Sequence, residues 1–244
     1  MRIFPIRFMV IMLLAQVLLL FVTGSSNIIL GEVIMPEIKV VNLPKPDTEG
    51  TVPLESTLQK RRSVRHYRDS SISIKLISQL LWAAQGITSQ QGFRTAPSAG
   101  ALYPLEIYII AENVDGLETG IYKYLPADHT LLLISEGNYS QILSQAALWQ
   151  EAISQAPAVF VISGVQKKTT GKYGNRGIRY MYIEAGHTAQ NLCLQAEALD
   201  LGSVPIGAFT DHEVARILQM QKGEAPIYII PVGRAKSRNC FRQL

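Results

Sequence analysis

The chain has 244 residues, of which 17% are charged and 48% hydrophobic, so it is excluded from the disordered class and fits one domain, or at most two small ones. Its formal charge is +4, but removing Arg2 and Arg7 from the 23 basic residues leaves 21 against 19 acidic ones. That balance argues against a nucleic-acid or anionic-membrane partner, and the local basic clusters at 60–68 and 234–242 suit a small anion better than a polyanion.

Residues 1–24 read as a signal peptide or an N-terminal anchor. Arg2 and Arg7 precede an apolar run from Phe8 to Val22, broken only by Gln16, and the small residues Thr23 to Ser26 follow. The run is shorter than the about 20 apolar residues of a full span. Either reading keeps the basic end inside and places the body outside the cytoplasm, exported (periplasmic or extracytoplasmic) or membrane-anchored facing outside. With no twin arginine, export is expected to proceed unfolded, with any cofactor acquired afterwards. Residues 25–53, with Pro36, Pro44, Pro46 and Pro53, read as an extended linker or arm, and 54–244 as the folded domain.

Within that domain a short helix is expected over Leu54–Lys60, with Pro53 at its start. Ser63–Tyr67 follows as a strand. Ile77, Leu80, Leu81 and Ala84 recur at helical spacing, and Gly86 stops that helix. Leu105–Ala111 is an expected buried strand, and Gly120–Tyr124 with Thr130–Ile134 an expected hairpin. Ala158–Ser163 is a further strand. The longest helix is expected over about Ile178–Leu199, from Met181, Ala185, Ala189, Leu192, Ala196 and Leu199. Thr210 and Glu213 form a capping box opening a helix to Leu218, and Ile227–Val232 is the last strand. The elements do not alternate regularly, which predicts α+β with a mixed sheet. Cys193 and Cys240 are expected as free thiols.

Four stretches could carry chemistry. In Arg61-Arg62-Ser63-Val64-Arg65 an extended backbone would project Ser63 and Arg65 to one face, with Arg61 converging from the helix end. Guanidinium forks and a hydroxyl around one point suit a phosphate; a solvated basic run explains the same residues more simply. Pro97-Ser98-Ala99-Gly100 is a small-residue loop ahead of a buried strand, able to let backbone approach a flat ligand, or an ordinary loop. Pro205-Ile206-Gly207-Ala208 could aim main-chain N–H groups at an atom that gains charge, or be a short strand with a bend. Lys172-Tyr173-Gly174-Asn175-Arg176-Gly177 reads as a mobile loop in which Lys172 and Tyr173 could serve as acid and base. Its glycines do not match a dinucleotide fingerprint. Glu184, His187 and Asn191 share a helix face, expected as a polar stripe on the surface or at a subunit interface rather than a metal site.

The ordered blocks LESTLQKRRSVRHY, APSAGALYPLEIYI, KYGNRGIRYMYIEAGHTAQNLCLQAEALDLGSVPIGAF and PIYIIPVGR resemble the nitroreductase-like superfamily, in particular the branch of SagB-type dehydrogenases that oxidise azoline rings in modified peptides. The resemblance implies a mixed, mainly antiparallel sheet flanked by helices and an intertwined homodimer with FMN at the interface. It implies that Arg61, Arg62, Ser63 and Arg65 bind FMN, with Arg234 and Lys236 as further phosphate contacts. Pro97, Ser98, Ala99 and Gly100 would lie against the ring, typically that of the partner subunit. Pro205, Ile206, Gly207 and Ala208 form the segment whose last two residues face flavin N5 and O4. Lys172 and Tyr173 match the pair that handles the substrate proton. The implied activity is hydride transfer between a small-molecule or peptide substrate and FMN. The alternative is a non-catalytic flavin-binding sensor or assembly subunit.

Overall fold

A computed structural model describes residues 39–236. The expected leader at 1–24, the start of the arm and Cys240 lie outside these residues. In chain order the elements are β1 (Val40–Asn42), α1 (Leu54–Lys60), β2 (Ile72–Ser73), α2 (Ile74–Gln85), a 3-10 turn (Ala99–Ala101), β3 (Leu105–Ala111), β4 (Val114–Asp115), β5 (Gly120–Leu125), β6 (Thr130–Glu136), α3 (Ser140–Ala146), α4 (Glu151–Ser154), β7 (Ala158–Val165), α5 (Gln166–Tyr173), α6 (Arg176–Ala198), β8 (Gly202–Ser203), α7 (Asp211–Ile217) and β9 (Glu224–Gly233).

Seven strands form one sheet in the order β1-β6-β5-β3-β7-β9-β8, antiparallel at every ladder, and β2 pairs in parallel with β4 beside it. Strands β3 and β7 lie at the centre, and both read as continuous apolar runs because both of their faces are covered. One face packs under α2 and α6, where Ile77, Leu80, Leu81, Met181, Ala185, Ala189 and Leu192 meet Ile107, Ile109, Phe160 and Ile162. The other face packs under α3, α4 and α7 through Leu143, Ile153, Val214 and Leu218. The helical periodicity of Met181 to Ala196 is thus the buried stripe of α6. Each fully buried Leu or Ile in these layers contributes about 1.5–3 kcal/mol of burial energy. The α+β class and the helix-flanked antiparallel sheet agree with the expectation.

Four local expectations are corrected. The arm is not free over its described part: β1 adds to the sheet against β6, the Ser78 hydroxyl bonds the Pro44 carbonyl, and the Gln79 amide exchanges bonds with the Asp47 backbone at 2.8 and 2.9 Å. Ser63–Tyr67 is extended but is not a strand, because only Ser63 and Tyr67 pair, as isolated bridges to Ser203 and Ala235. Lys172 and Tyr173 are not in a loop but in the last turn of α5, which ends at Gly174. The capping box does not form, although α7 does begin after Thr210. The Thr210 N–H, which the Glu213 side chain would have to engage, already donates to the Ala146 carbonyl at 2.8 Å.

Candidate functional site

The chain leaves α1 at Arg61, whose ψ of 125° turns it out of the helix and into the extended run that follows. That run is fastened on both sides. The Val64 N–H donates to the Ser203 carbonyl at 3.0 Å, the Arg68 N–H to the Arg234 carbonyl at 2.8 Å, and the Lys236 N–H to the His66 carbonyl at 3.0 Å. Tyr67, buried, donates its hydroxyl to the carbonyls of Val64 and Pro231 at 2.7 and 3.0 Å. Gly202 makes the close approach possible: a Cβ there would lie 2.6 Å from Val64 Cβ. Three segments distant in sequence, 61–68, 202–203 and 234–236, therefore form one strip.

The side chains on this strip differ in what they do. Arg62 is spent locally, its Nη1 donating to the carbonyls of Gln59 and Arg61 at 2.9 and 2.8 Å, where it caps the end of α1. Arg61 is half-buried and Arg65 exposed, and neither takes part in an ion pair among the described residues. Beneath them the Cys193 thiol is buried, which pushes its pKa up, against the opposing pull of Ser203 and Arg61. Arg234 is half-buried and Lys236 exposed at the strip's far end.

Next to the strip, Ile206 is locked to Ile229 by two backbone bonds at 2.8 and 2.9 Å, and this projects the next two residues outward. Gly207 and Ala208 are exposed, and among the described residues neither N–H meets an acceptor. No atom lies within 4 Å of where a Cβ on Gly207 would sit. The segment is braced from behind by Gln150, whose Nε2 donates to the Ala208 carbonyl at 3.1 Å. Gln150 carried no signal in the sequence. It follows Leu148 and Trp149, which are 65% and 66% exposed with φ of 57° and 62°. Two consecutive bulky residues in the left-handed region are uncommon and mark stored strain.

A second cluster joins two stretches that were separate in the sequence. The loop at Pro97–Gly100 is shaped by Ser98, whose Oγ accepts the Tyr103 N–H at 2.9 Å, and by Gly100 at φ 65°. A Cβ on Gly100 would lie 2.6 Å from Tyr173 Oη and 2.9 Å from Lys172 Nζ, so the two functional ends rest on this glycine. Pro97 is exposed, and Ser98 and Ala99 are half-buried. Tyr173 is held edge-on to Tyr180 with ring centroids 5.2 Å apart, and Lys172 Nζ stands 5.4 Å from the Tyr173 ring. Lys172 makes no ion pair among the described residues.

The two clusters do not merge within one protomer. Each lies against α6, the second beside Glu184 and the first beside Cys193, nine residues or about 13 Å further along the axis. The polar stripe expected on this helix is also corrected. His187 is exposed and Asn191 donates to the Thr95 carbonyl at 3.2 Å, but Glu184 is only 2% exposed and faces the interior.

Comparison with known proteins places the chain in a family. A model of the nitroreductase family matches residues 58–234. Protein MJ1384 of Methanocaldococcus jannaschii is 46% identical over 189 residues, covering 78% of this chain and 94% of its own length. The microcin B17-processing protein McbC of Escherichia coli is 27% identical over 180 residues, 71% of this chain and 66% of that protein. The solved E. coli microcin synthetase McbBCD complex with truncated pro-MccB17 bound contains a chain of the same fold, with a TM-score of 0.64 at 23% identity over 88% of this chain and 85% of that one. The family model covers 61–68, 202–203, the exposed N–H pair and the Lys-Tyr cluster and ends at Arg234, and the chain belongs to the nitroreductase family.

Proposed function

We propose that this protein is an FMN-dependent oxidoreductase that transfers hydride between a substrate and flavin N5. The observation that carries the reading is the strip itself: among the described residues Arg61 and Arg65 have unspent guanidinium forks, clamped beside Arg234, with the likewise unspent Gly207 and Ala208 N–H groups adjoining. The residues fit the group. The guanidinium forks suit a phosphate, Ser63 a ribityl hydroxyl, and the open face at Gly207 a flat ring. FMN bound there would supply the hydride-accepting N5.

The chain's own residues would do the rest. The Gly207 and Ala208 N–H groups offer donors where negative charge develops, already oriented by the Ile206–Ile229 pairing. Lys172 and Tyr173, resting on Gly100, would hold and move the substrate proton. Exposed Leu54 and Leu58 on α1, with Tyr182 and Ile183 on α6, support the homodimer in which one protomer's Pro97–Gly100 loop completes its partner's site. Relationship to a microcin-processing protein supports a peptide segment as substrate, with a small molecule as the alternative. The 1–24 segment supports export.

The test is the absorbance spectrum of protein incubated with FMN and passed through gel filtration. Flavin bands that travel with the protein and vanish in Arg61→Ala/Arg65→Ala are expected. Lys172→Ala and Tyr173→Phe are expected to keep the bands and lose turnover. Protein that never retains FMN would overturn the reading.

A further inference from the structure

Among the described residues, Glu184 alone has both carboxylate oxygens buried without a hydrogen-bond partner. Its neighbours explain why. Arg94, in the segment after α2, donates Nη1 to Gln85 Oε1 at 2.9 Å and lies 4.6 Å over the Tyr103 ring. Gln85 donates its amide to Thr188 Oγ1 at 2.7 Å, and Lys168 of α5 is paired with Glu106 at 2.7 Å. Ser98 Oγ accepts from the Tyr103 N–H, which leaves its hydroxyl hydrogen as the unspent donor beside the carboxyl. Burial raises the Glu184 pKa, while Ser98, Arg94, Gln85 and Lys168 oppose it. Ser98 and Gln85 are thus near enough to act on the charge, yet neither meets hydrogen-bond geometry with the carboxyl. A carboxylate left bare at this depth is costly, by several kcal/mol, so burial favours the neutral acid.

The position of this acid matters. Ser98 opens the short loop whose Gly100 lies against Lys172 and Tyr173. Glu184 senses Lys168, four residues before Lys172 and therefore on the same face of α5. Tyr173 meets the ring of Tyr180, which is one turn before Glu184 on α6. Glu184 and the Lys-Tyr pair thus stand on two sides of one three-residue turn, with Arg94, Lys168, Tyr103 and Tyr180 as the other ionisable groups around the acid.

We propose that Glu184 is a proton-holding positioning residue for the Lys172–Tyr173 pair: its carboxyl, neutral at rest, gives its proton through the Ser98 hydroxyl when the pair has released one, and takes it back afterwards. No electrons move in this step; the O–H bond at Glu184 breaks as one N–H or O–H bond forms at the pair, and the reverse resets it. The inference rests on the proposed role of Lys172 and Tyr173.

The test begins without flavin. The full chain, labelled with 13C at glutamate carboxyls, is titrated by NMR, with Glu184→Gln assigning the resonance, or Glu184→Asp should Gln not fold. Glu184 is expected to titrate above the other glutamates, and its midpoint to move to still higher pH in Lys172→Ala, which removes the cation that the proposal couples to it. A resonance that titrates with the rest, or that ignores both Lys172→Ala and Tyr173→Phe, overturns the proposal. In the flavin-loaded enzyme, Glu184→Gln is expected to lower kcat about tenfold or more at unchanged KM and to remove one limb of the pH profile. A wild-type-shaped profile also overturns it, because Gln replaces a merely structural neutral acid. An apo carboxyl coupled to Lys172 in a wild-type protein that never turns over would sustain the coupling and sink the enzyme reading instead.

Discussion

Gly100→Ala separates the chemistry of the Lys-Tyr cluster from the stability of its loop. The new methyl would lie 2.6 Å from Tyr173 Oη and 2.9 Å from Lys172 Nζ, so both ends must retreat by roughly 1 Å to reach ordinary contact. Both are the far ends of flexible side chains, and their movement costs little. The backbone contributes about 1–2 kcal/mol, because an L-residue is forced to φ 65°. For a chain of this size that corresponds to a midpoint lower by about 2–8 °C. Displacing proton-handling groups by about 1 Å, however, can cost on the order of 100-fold in rate. Gly92→Ala is the matched control, since Gly92 sits at φ 80° with nothing within 4 Å of the added methyl. Differential scanning fluorimetry and steady-state turnover of the FMN-loaded proteins read both effects. The two variants are expected to melt alike and to differ about 100-fold in kcat. Equal turnover in the two would refute the argument that Gly100 sets the position of Lys172 and Tyr173.

Gly202→Ala places a methyl 2.6 Å from the stiff Cβ of Val64, and is expected to cost about 1–3 kcal/mol and to weaken FMN retention by loosening the strip; calorimetry and flavin titration check this. Trp149→Gly relieves a left-handed Trp that is 66% exposed, and is expected to raise stability by about 0.5–1 kcal/mol in urea unfolding; a loss of stability would show that Trp149 is not strained. His129, bonded to Tyr124 at 2.8 Å and Ser78 at 2.7 Å, has its pKa lowered by burial, so the folded state favours the neutral ring. Its contribution is fully present above the unfolded value of about 6.5 and is lost as pH falls through the lower folded value. The melting midpoint is therefore expected to drop between about pH 7 and 5, and to drop less in His129→Gln.

Much of the architecture was legible in the sequence because it follows from local periodicity. The α6 stripe from Met181 to Ala196, the apolar runs of β3 and β7 and the hairpin of β5 and β6 are patterns that burial imposes on neighbouring residues. Where a competing long-range bond intervenes, the local pattern loses. Thr210 looked like half of a capping box, but its N–H is taken by Ala146 from another helix. Val40–Asn42 looked like arm, but an open sheet edge pairs with it.

For the candidate site, the sequence by itself determined the residue types: arginine forks, a Lys-Tyr pair, and small residues where backbone must come close. Only the tertiary structure decided which of them meet. It spends Arg62 on helix carbonyls and leaves Arg61 and Arg65 out of ion pairs among the described residues, joins 61–68 to 202–203 and 234–236, and rests Lys172 and Tyr173 on Gly100 across some 70 residues of chain. It also turned Glu184 inward, where helical spacing alone grouped it with exposed His187. The physical reason is common to all of these: periodicity shows which residues share a face, but what that face meets depends on the elements folded against it.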